Sequence, residues 1–369
     1  MACVEVLPGG GLQSRVCARV GLLGNPSDGF RGAVLGFSLA NFAAEVTLTP
    51  AATLRLVPNP VHDAQHFESL EALAACTRSY GYYGGLRILQ AMCAVFWEHC
   101  QREGMQLSPS AGPFELSYST SIPRQCGLSG SSALAAAALN CLLRWHGVEW
   151  AVPPAARPAL VLAAEQQLGI AAGLQDRVVQ VYGGLLLMDF SPSLGSQGRY
   201  TRLDAASLPP LYVIHAAAPP ARGKDSGAVH ASVRQLWDAG DAEVRETMGQ
   251  IAALAEQGQR ALLAGDLEQL AALMRRNLRL RRQLYSDAVV GAASLAMAEL
   301  AESVGAAAKL TGSGGAVVAL CPRGEQQEAA LRAACEARGL ACVRAELGPP
   351  LHPLSDGAAA GSSAGESAV

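Results

Sequence analysis

The chain of 369 residues is half apolar but only 5% aromatic, and its formal net charge is −3. It is long enough for two domains with a sizeable core filled mainly by Ala, Leu and Val, and its near-neutral charge excludes a general attraction to nucleic acid or acidic membranes. Any anion it binds must be held by local devices. The ten cysteines form no C-x-x-C pair and no Cys/His cluster at zinc spacing, which predicts reduced, mostly buried thiols. The start has no basic segment leading into an apolar run, and no apolar stretch reaches the ~18 to 20 residues that a membrane span needs. These features predict a cytoplasmic protein with neither nucleic acid nor membrane as partner.

In chain order, residues 1–14 are Gly-rich and expected to fray. Val16 to Leu23 and Ala43 to Leu48 read as strands, separated by the turn-rich Gly24 to Gly32. Leu70 to Arg78 and Gly85 to Arg102 carry helical periodicity, and Phe114 to Ser119 alternates with period two. A glycine-bent loop, Ile122 to Ala133, then runs into the Ala/Leu-rich helix Leu134 to Trp145. Ala159 to Leu168 and Gln175 to Tyr182 read as helices, and Gly184 to Phe190 as a strand. The Pro/Gly/Ser-rich span Ser191 to Gly198 marks the expected boundary between an N-terminal domain, 15–198, and a C-terminal domain, 199–350. Strand patterning over 200–218 gives way to helices at Val229 to Ala239, Ala242 to Ala264, Leu267 to Tyr285 and Leu295 to Val304. A second glycine cluster, Thr311-Gly312-Ser313-Gly314-Gly315, precedes a short strand, Ala316 to Leu320. The tail, 351–369, ends in Ala, Gly and Ser with nothing to bury, and is expected to be disordered. Helices followed by short strands within one lobe indicate an α+β fold rather than a doubly wound sheet.

The loop Pro123-Arg124-Gln125-Cys126-Gly127-Leu128-Ser129-Gly130-Ser131-Ser132-Ala133 has the makings of an anion site. Unpaired N–H groups and the positive end of the following helix favour a phosphate, and glycines let the backbone approach it. A capped helix after a tight turn is the plainer reading, since Ser is a favoured N-cap. The chain contains neither G-x-x-x-x-G-K-[ST] nor G-x-G-x-x-G, so the P-loop and Rossmann readings lose their main support.

Three segments taken together say more. Arg19-Val20-Gly21-Leu22-Leu23-Gly24-Asn25-Pro26-Ser27-Asp28, the Gly130 to Ala133 loop and the Gly312 to Gly315 cluster resemble, in order and spacing, the three motifs of the GHMP small-molecule kinases. The resemblance covers about residues 15–345. Longer stretches, GLLGNPSD, YYGGLRIL, IPRQCGLSGSSA, AGLQDRVVQVYGGL, RNLRLRR and KLTGSGGAVV, are similar to the plant-type glucuronokinase family within that superfamily. The resemblance implies an N-terminal lobe like the second domain of ribosomal protein S5, a C-terminal ferredoxin-like lobe, and a site between them. It implies ATP and magnesium as cofactors and D-glucuronate, a small sugar acid, as the substrate phosphorylated at its anomeric hydroxyl. The alternatives are a GHMP kinase for a neutral sugar and a nucleotide-binding regulator without catalysis.

Site residues follow from the same resemblance. Asp176 matches a catalytic aspartate, and Arg19 an arginine that lies beside it. ATP is expected on Pro123 to Ala133 and on Gly312, Ser313, Gly314 and Gly315, and magnesium on Ser132 and Glu165. Asn25 and Asp28 occupy the sugar-binding segment; an amide at Asn25 could donate to a substrate carboxylate where a second carboxylate would repel it. A uronate also wants a cationic clamp, for which Arg124, Lys224, Arg279, Arg281 and Arg282 all remain open. Tyr82 and Tyr83 could stack on a sugar or base, or pack in the core. The loop departs from the superfamily pattern in reading Gly-Leu-Ser-Gly-Ser-Ser, with Ser129 inserted before Gly130.

Overall fold

A computed structural model describes residues 3–80, 84–170, 172–217 and 226–354. Strand β1 (Glu5–Val6) pairs antiparallel with the start of β2 (Leu12–Leu23), so the segment expected to fray from 1 to 14 is instead tied to the sheet edge over its described part. β3 (Ala33–Pro50) is the spine of this sheet: it runs antiparallel to β2 across two register shifts. The sequence showed only its second half. Residues 33–39 are all buried, and a strand covered on both faces loses the alternation that announces a half-buried one.

The sheet is completed by β5 (Phe114–Thr120) beside the second half of β3, with β4 (Arg55–Leu56) beyond it, and by β6 (Leu185–Asp189) beside its first half, with β7 (Arg199–Leu203) beyond that. β7 still pairs with β6, so the chain leaves the N-terminal sheet only after Leu203. The boundary expected at Ser191 to Gly198 is therefore a hairpin turn within the first lobe.

Helices α1 (Leu70–Tyr80), α2 (Gly85–Arg102), α3 (Gly130–Trp145), α4 (Arg157–Gln167) and α5 (Gln175–Tyr182) belong to the same lobe. Among these, α3 is covered nearly all round, and Ala133 and Ala135 to Ala138 let it lie close to β2 and β3 between α2 and α4. Its start is thereby fixed against the sheet, which positions the loop before it.

The second sheet consists of β8 (Leu211–Ala216), β9 (Ala307–Leu310), β10 (Ala316–Leu320) and β11 (Leu340–Arg344), antiparallel in the order β11-β8-β10-β9. That is the ferredoxin-like order expected for the C-terminal lobe. α6 (Ser226–Asp238), α7 (Ala242–Ala264), α8 (Leu267–Val290), α9 (Ala292–Ser303) and α10 (Glu325–Glu336) complete it. Asp241 and Asp266 cap α7 and α8 by accepting the N–H groups of Val244 and Gln269, and Gly265 ends α7 in the left-handed conformation. β9, α10 and β11 went unread in the sequence. After β11 the chain returns to the first lobe, where Gly348 donates to the Ser38 carbonyl and Leu351 to that of Tyr182, both at 2.8 Å. Residues 351–354, expected to belong to a disordered tail, are thus laid against the first lobe, and residues 355–369 lie outside the described part.

The two lobes meet along the second half of β2. Asn277 of α8 is fully buried there; its Oδ1 accepts the Gly24 N–H at 2.9 Å and its Nδ2 faces the Asn25 carbonyl at 3.3 Å. Replacing Asn277 by Ala leaves the Gly24 N–H unsatisfied in an enclosed place, at a cost of about 1 to 3 kcal/mol. Urea denaturation is expected to show a lower midpoint at unchanged slope; an unaltered midpoint would remove Asn277 as an interlobe tie.

Candidate active site

Between β5 and α3 the chain turns through residues 121–129, with Cys126 and Leu128 buried beneath the loop as anchors. Gln125, Gly127 and Ser129 take positive φ of 58°, 62° and 64°, which folds the loop back on itself just before the helix. Two glycines make a close approach there: a Cβ on Gly127 would lie 2.8 Å from the Gly314 carbonyl oxygen, and one on Gly312 would run into the Gly127 carbonyl. The two glycine loops, nearly two hundred residues apart in the chain, are therefore packed backbone to backbone. α3 opens at Gly130 with no side-chain cap, so its first N–H groups are presented to whatever lies against the loop.

Arg19 ties this junction together. Only 4% exposed, it donates from Nε to Asp176 Oδ1 at 2.5 Å and from Nη1 to the carbonyls of Gly127 at 2.9 Å and Thr311 at 3.0 Å. The segments around positions 19, 127, 176 and 311 thus converge on one guanidinium. Asp176, in the first turn of α5, also accepts from Ser129 Oγ at 2.6 Å, and Arg177 Nη1 lies 3.7 Å from it. Burial alone would raise the Asp176 pKa, but the charges of Arg19 and Arg177 and the bonds from Arg19 and Ser129 outweigh it and hold the carboxyl below its ordinary value.

The serine pair divides its duties differently from the expectation. Ser132 is fully buried and donates back to the Ser129 carbonyl, an ordinary helical turn contact. Ser131 Oγ instead donates to Glu165 Oε1 at 2.6 Å, while Glu165 Oε2 pairs with Arg177. The hydroxyl and carboxylate that stand together at the mouth of α3 are Ser131 and Glu165, whereas the Ser132 hydroxyl, expected beside Glu165, turns to the Ser129 carbonyl. These are hard oxygen donors of the kind magnesium takes, and among the described residues no cluster of three His, Cys, Asp or Glu offers another metal set.

Next to Asp176, Asp28 accepts from Gln175 twice, from its backbone N–H at 3.1 Å and its side-chain amide at 2.8 Å. Removal from water and the neighbouring Asp176 carboxylate push the Asp28 pKa up to about 6. Asn25 is placed otherwise than expected. It is 1% exposed, and its Oδ1 accepts from Lys309 Nζ at 2.6 Å. Lys309 also donates to the carbonyls of Gly21 at 2.9 Å and Leu310 at 2.6 Å. The Asn25 amide is spent inside the protein, where it fixes the sugar segment against β9. Among the basic candidates, Arg124 donates to the His62 carbonyl, Arg279 is exposed, and Arg282 pairs with Asp287 at 2.5 Å. Lys224, Tyr82 and Tyr83 lie outside the described residues.

Comparison with known proteins fits this arrangement. Residues 88–184 match the GHMP kinases N terminal domain and residues 259–338 the GHMP kinases C terminal domain. The chain is 46% identical over 349 residues to Glucuronokinase 1 of Arabidopsis thaliana, covering 94% of both chains, and 46% identical over 351 residues to Probable glucuronokinase 2 of the same plant, again with 94% of both chains covered. This chain belongs to the GHMP kinase family. The fold agrees: Lactococcus lactis galactokinase, solved with galactose, superposes with a TM-score of 0.69 over 92% of this chain and 94% of that one at 18% identity.

In this GHMP kinase several site contacts escaped sequence reasoning. Ser129 reads as a helix cap, and nothing in its position announces that its hydroxyl turns to Asp176. Gln175 was visible only as the neighbour of Asp176, and Lys309 only as the residue before a glycine cluster. The Asp28 shift has a measurable consequence. The raised pKa means that the fold disfavours its charged form: the stability it contributes is present at low pH and lost as pH rises through about 6. Asp28→Asn is therefore expected to raise Tm well above pH 6 and to change it little well below. If Asp28 binds a sugar hydroxyl as a carboxylate, the wild-type kcat/KM for sugar falls on the acid side with a midpoint near 6, and the same substitution removes that limb. A pH profile identical in both proteins would reject that role.

Proposed function

We propose that this GHMP kinase is a glucuronokinase: it transfers the γ-phosphoryl group of ATP to the anomeric hydroxyl of D-glucuronate, giving glucuronate 1-phosphate and ADP. The reaction class is carried by one observation, that Asp176 stands beside the phosphate loop on a guanidinium shared with both glycine loops. The substrate is carried by the full-length similarity to the Arabidopsis glucuronokinases. Ten free cysteines favour a reducing compartment, in keeping with a cytoplasmic enzyme.

In this reading the triphosphate lies along Gly127 to Ser131, against the N-terminus of α3, with Gly312 to Gly315 closing over it. The C1 oxygen of the sugar attacks the γ phosphorus, the bond to the β–γ bridging oxygen breaks, and ADP leaves. The hydroxyl proton passes to Asp176. A carboxylate held below its ordinary pKa is a weak base, so it orients the hydroxyl first and takes the proton only as the new O–P bond nears completion, which suits a loose transition state. Arg19 keeps Asp176 ionised and places fixed positive charge where the transferring group gathers negative charge. Ser131 and Glu165 would hold magnesium, which when bound offsets charge on the β and γ phosphates.

The purified protein is expected to release ADP with D-glucuronate and to produce an acid-labile sugar 1-phosphate. Equal or better turnover of galactose or glucose would overturn the substrate. Asp176→Asn is expected to lower kcat by about 10²- to 10⁴-fold with ATP binding retained, as read by single-turnover assay and nucleotide titration. Near-normal kcat in that variant would remove the proton-acceptor role. Arg19→Lys keeps the charge but loses the fork that spans Asp176, Gly127 and Thr311, so kcat is expected to fall although the site remains cationic.

A further inference from the structure

Helix α8 presents one face to the sugar segment. Asn277 on that face bonds Gly24 and Asn25, and Arg281 stands one turn further along, with Tyr285 a turn beyond it. Arg281 is 3% exposed, yet it makes no hydrogen bond or ion pair among the described residues. Its Nε is enclosed without an acceptor, and its one direct partner is the Tyr285 ring, 5.5 Å from the guanidinium carbon. A buried guanidinium with its donors idle is costly to keep, and a protein that keeps one beside its substrate segment has an acceptor in view.

Resting on the glucuronokinase reading, we propose that Arg281 is the specificity-determining clamp that receives the carboxylate of the sugar acid. Three observations support it. Arg281 lies within electrostatic reach of Asp28 in the sugar segment, and one helical turn from Asn277, which bonds the backbone of that same segment. Of the three buried arginines at this seam, Arg19 pairs with Asp176 and Arg177 with Glu165, which leaves Arg281 as the guanidinium without a salt-bridged carboxylate among the described residues. The other basic candidates within the described residues are occupied or exposed.

The seam also holds an unused acceptor. Gln175 gives its amide hydrogen to Asp28, and its Oε1 is buried without a donor. A uronic acid supplies what both orphans lack: hydroxyl donors for Gln175 Oε1 and a planar, two-oxygen acceptor for the Arg281 fork. Neutral sugars supply only the first. Burial and the like charge of Arg19 work against the Arg281 cation in the empty site, and Asp28 alone among the carboxylates favours it. A bound carboxylate relieves that conflict, so affinity for the acid is gained where the free protein is least comfortable.

The test compares wild type, Arg281→Met and Arg281→Lys with D-glucuronate and with D-glucuronamide, which keeps the shape but replaces the carboxylate by a neutral amide. Wild type is expected to favour glucuronate strongly. Arg281→Met is expected to shrink the glucuronate-to-glucuronamide ratio of kcat/KM by at least about 30-fold, through KM, with KM for ATP unmoved. Arg281→Lys falls between, since it keeps the charge and loses the fork. A ratio within about threefold of wild type in Arg281→Met overturns the clamp, because a merely structural role lowers both substrates together.

Stability gives an independent reading. Removing an unpartnered buried cation is expected to leave Tm unchanged or higher, and failure of Arg281→Met to fold would show that the guanidinium has a structural partner and would overturn the proposal. D-Glucuronate alone is expected to raise the Tm of wild type and not that of Arg281→Met. If wild type binds glucuronate in this way but does not phosphorylate it, the function falls and the clamp stands. If glucuronate turns over and the ratio ignores Arg281, the clamp falls and the function stands.

Discussion

The structure depends on one buried guanidinium. Arg19 sits on the central strand pair of the first lobe, and its side chain satisfies a carboxylate on α5 and two carbonyls, one from each glycine loop. Each acceptor has one further donor, Ser129 Oγ for Asp176, Thr311 Oγ1 for the Gly127 carbonyl and the Gly21 N–H for the Thr311 carbonyl, but only the guanidinium reaches all three at once. The same residue also receives structure in return: its own N–H is bonded to the Leu128 carbonyl, and the Gly21 N–H two residues on reaches Thr311. Catalytic geometry and interlobe packing are one network here. Strand β2 and the first turns of α3 and α5 hold Arg19, Ser131 and Asp176 on regular elements, and the two glycine loops are fixed by packing against each other.

Around that hub the protein tolerates a density of buried charge that would be a liability elsewhere. Arg177 and Glu165 neutralise each other in the interior, and Arg19 and Asp176 do so at the cleft. Lys309 has only neutral acceptors, and burial together with the charges of Arg281 and Arg19 drives its pKa well below that of a free amine. Burial of this kind gains little stability against apolar packing of the same volume. What it supplies is a fixed field that needs no rearrangement when charge moves from the sugar hydroxyl toward the departing phosphate. The adjoining carboxyls are pushed in opposite directions by their surroundings: Asp176 is held low by two arginines, and Asp28, with a weaker hold on cations, is raised. Two neighbouring carboxyls with separated pKa values can take separate tasks.

How much of this was legible beforehand follows from the range of each interaction. Arg19, Asp176 and the two glycine loops were legible because each lies in a short run whose residue types fit phosphate chemistry and whose order matches a known family. The ferredoxin-like lobe was expected only through that family, since its last helix and strand, Glu325–Glu336 and Leu340–Arg344, left no mark in the pattern reading. Ala33 to Leu39 was missed because a strand buried on both faces has no alternation to read. Asn25 was assigned to the substrate because its partner, Lys309, is 284 residues away, and no local pattern reveals that an amide is already spent. Ser132 was preferred to Ser131 because a motif fixes spacing along the chain but not which hydroxyl of a pair the first helical turn rotates outward.

The inserted Ser129 shows how a departure from a pattern can be absorbed. A residue added ahead of Gly130 lengthens the loop, and the chain accommodates it by taking Ser129 into the left-handed region that a glycine would occupy more cheaply. The conformation carries a gain that glycine lacks. A serine held there leaves its helix uncapped and sends its hydroxyl to Asp176, where it adds a neutral hydrogen bond to the two arginine charges that keep the carboxyl ionised. The local strain and the lost cap are thus offset by a hydrogen bond delivered to a buried carboxylate.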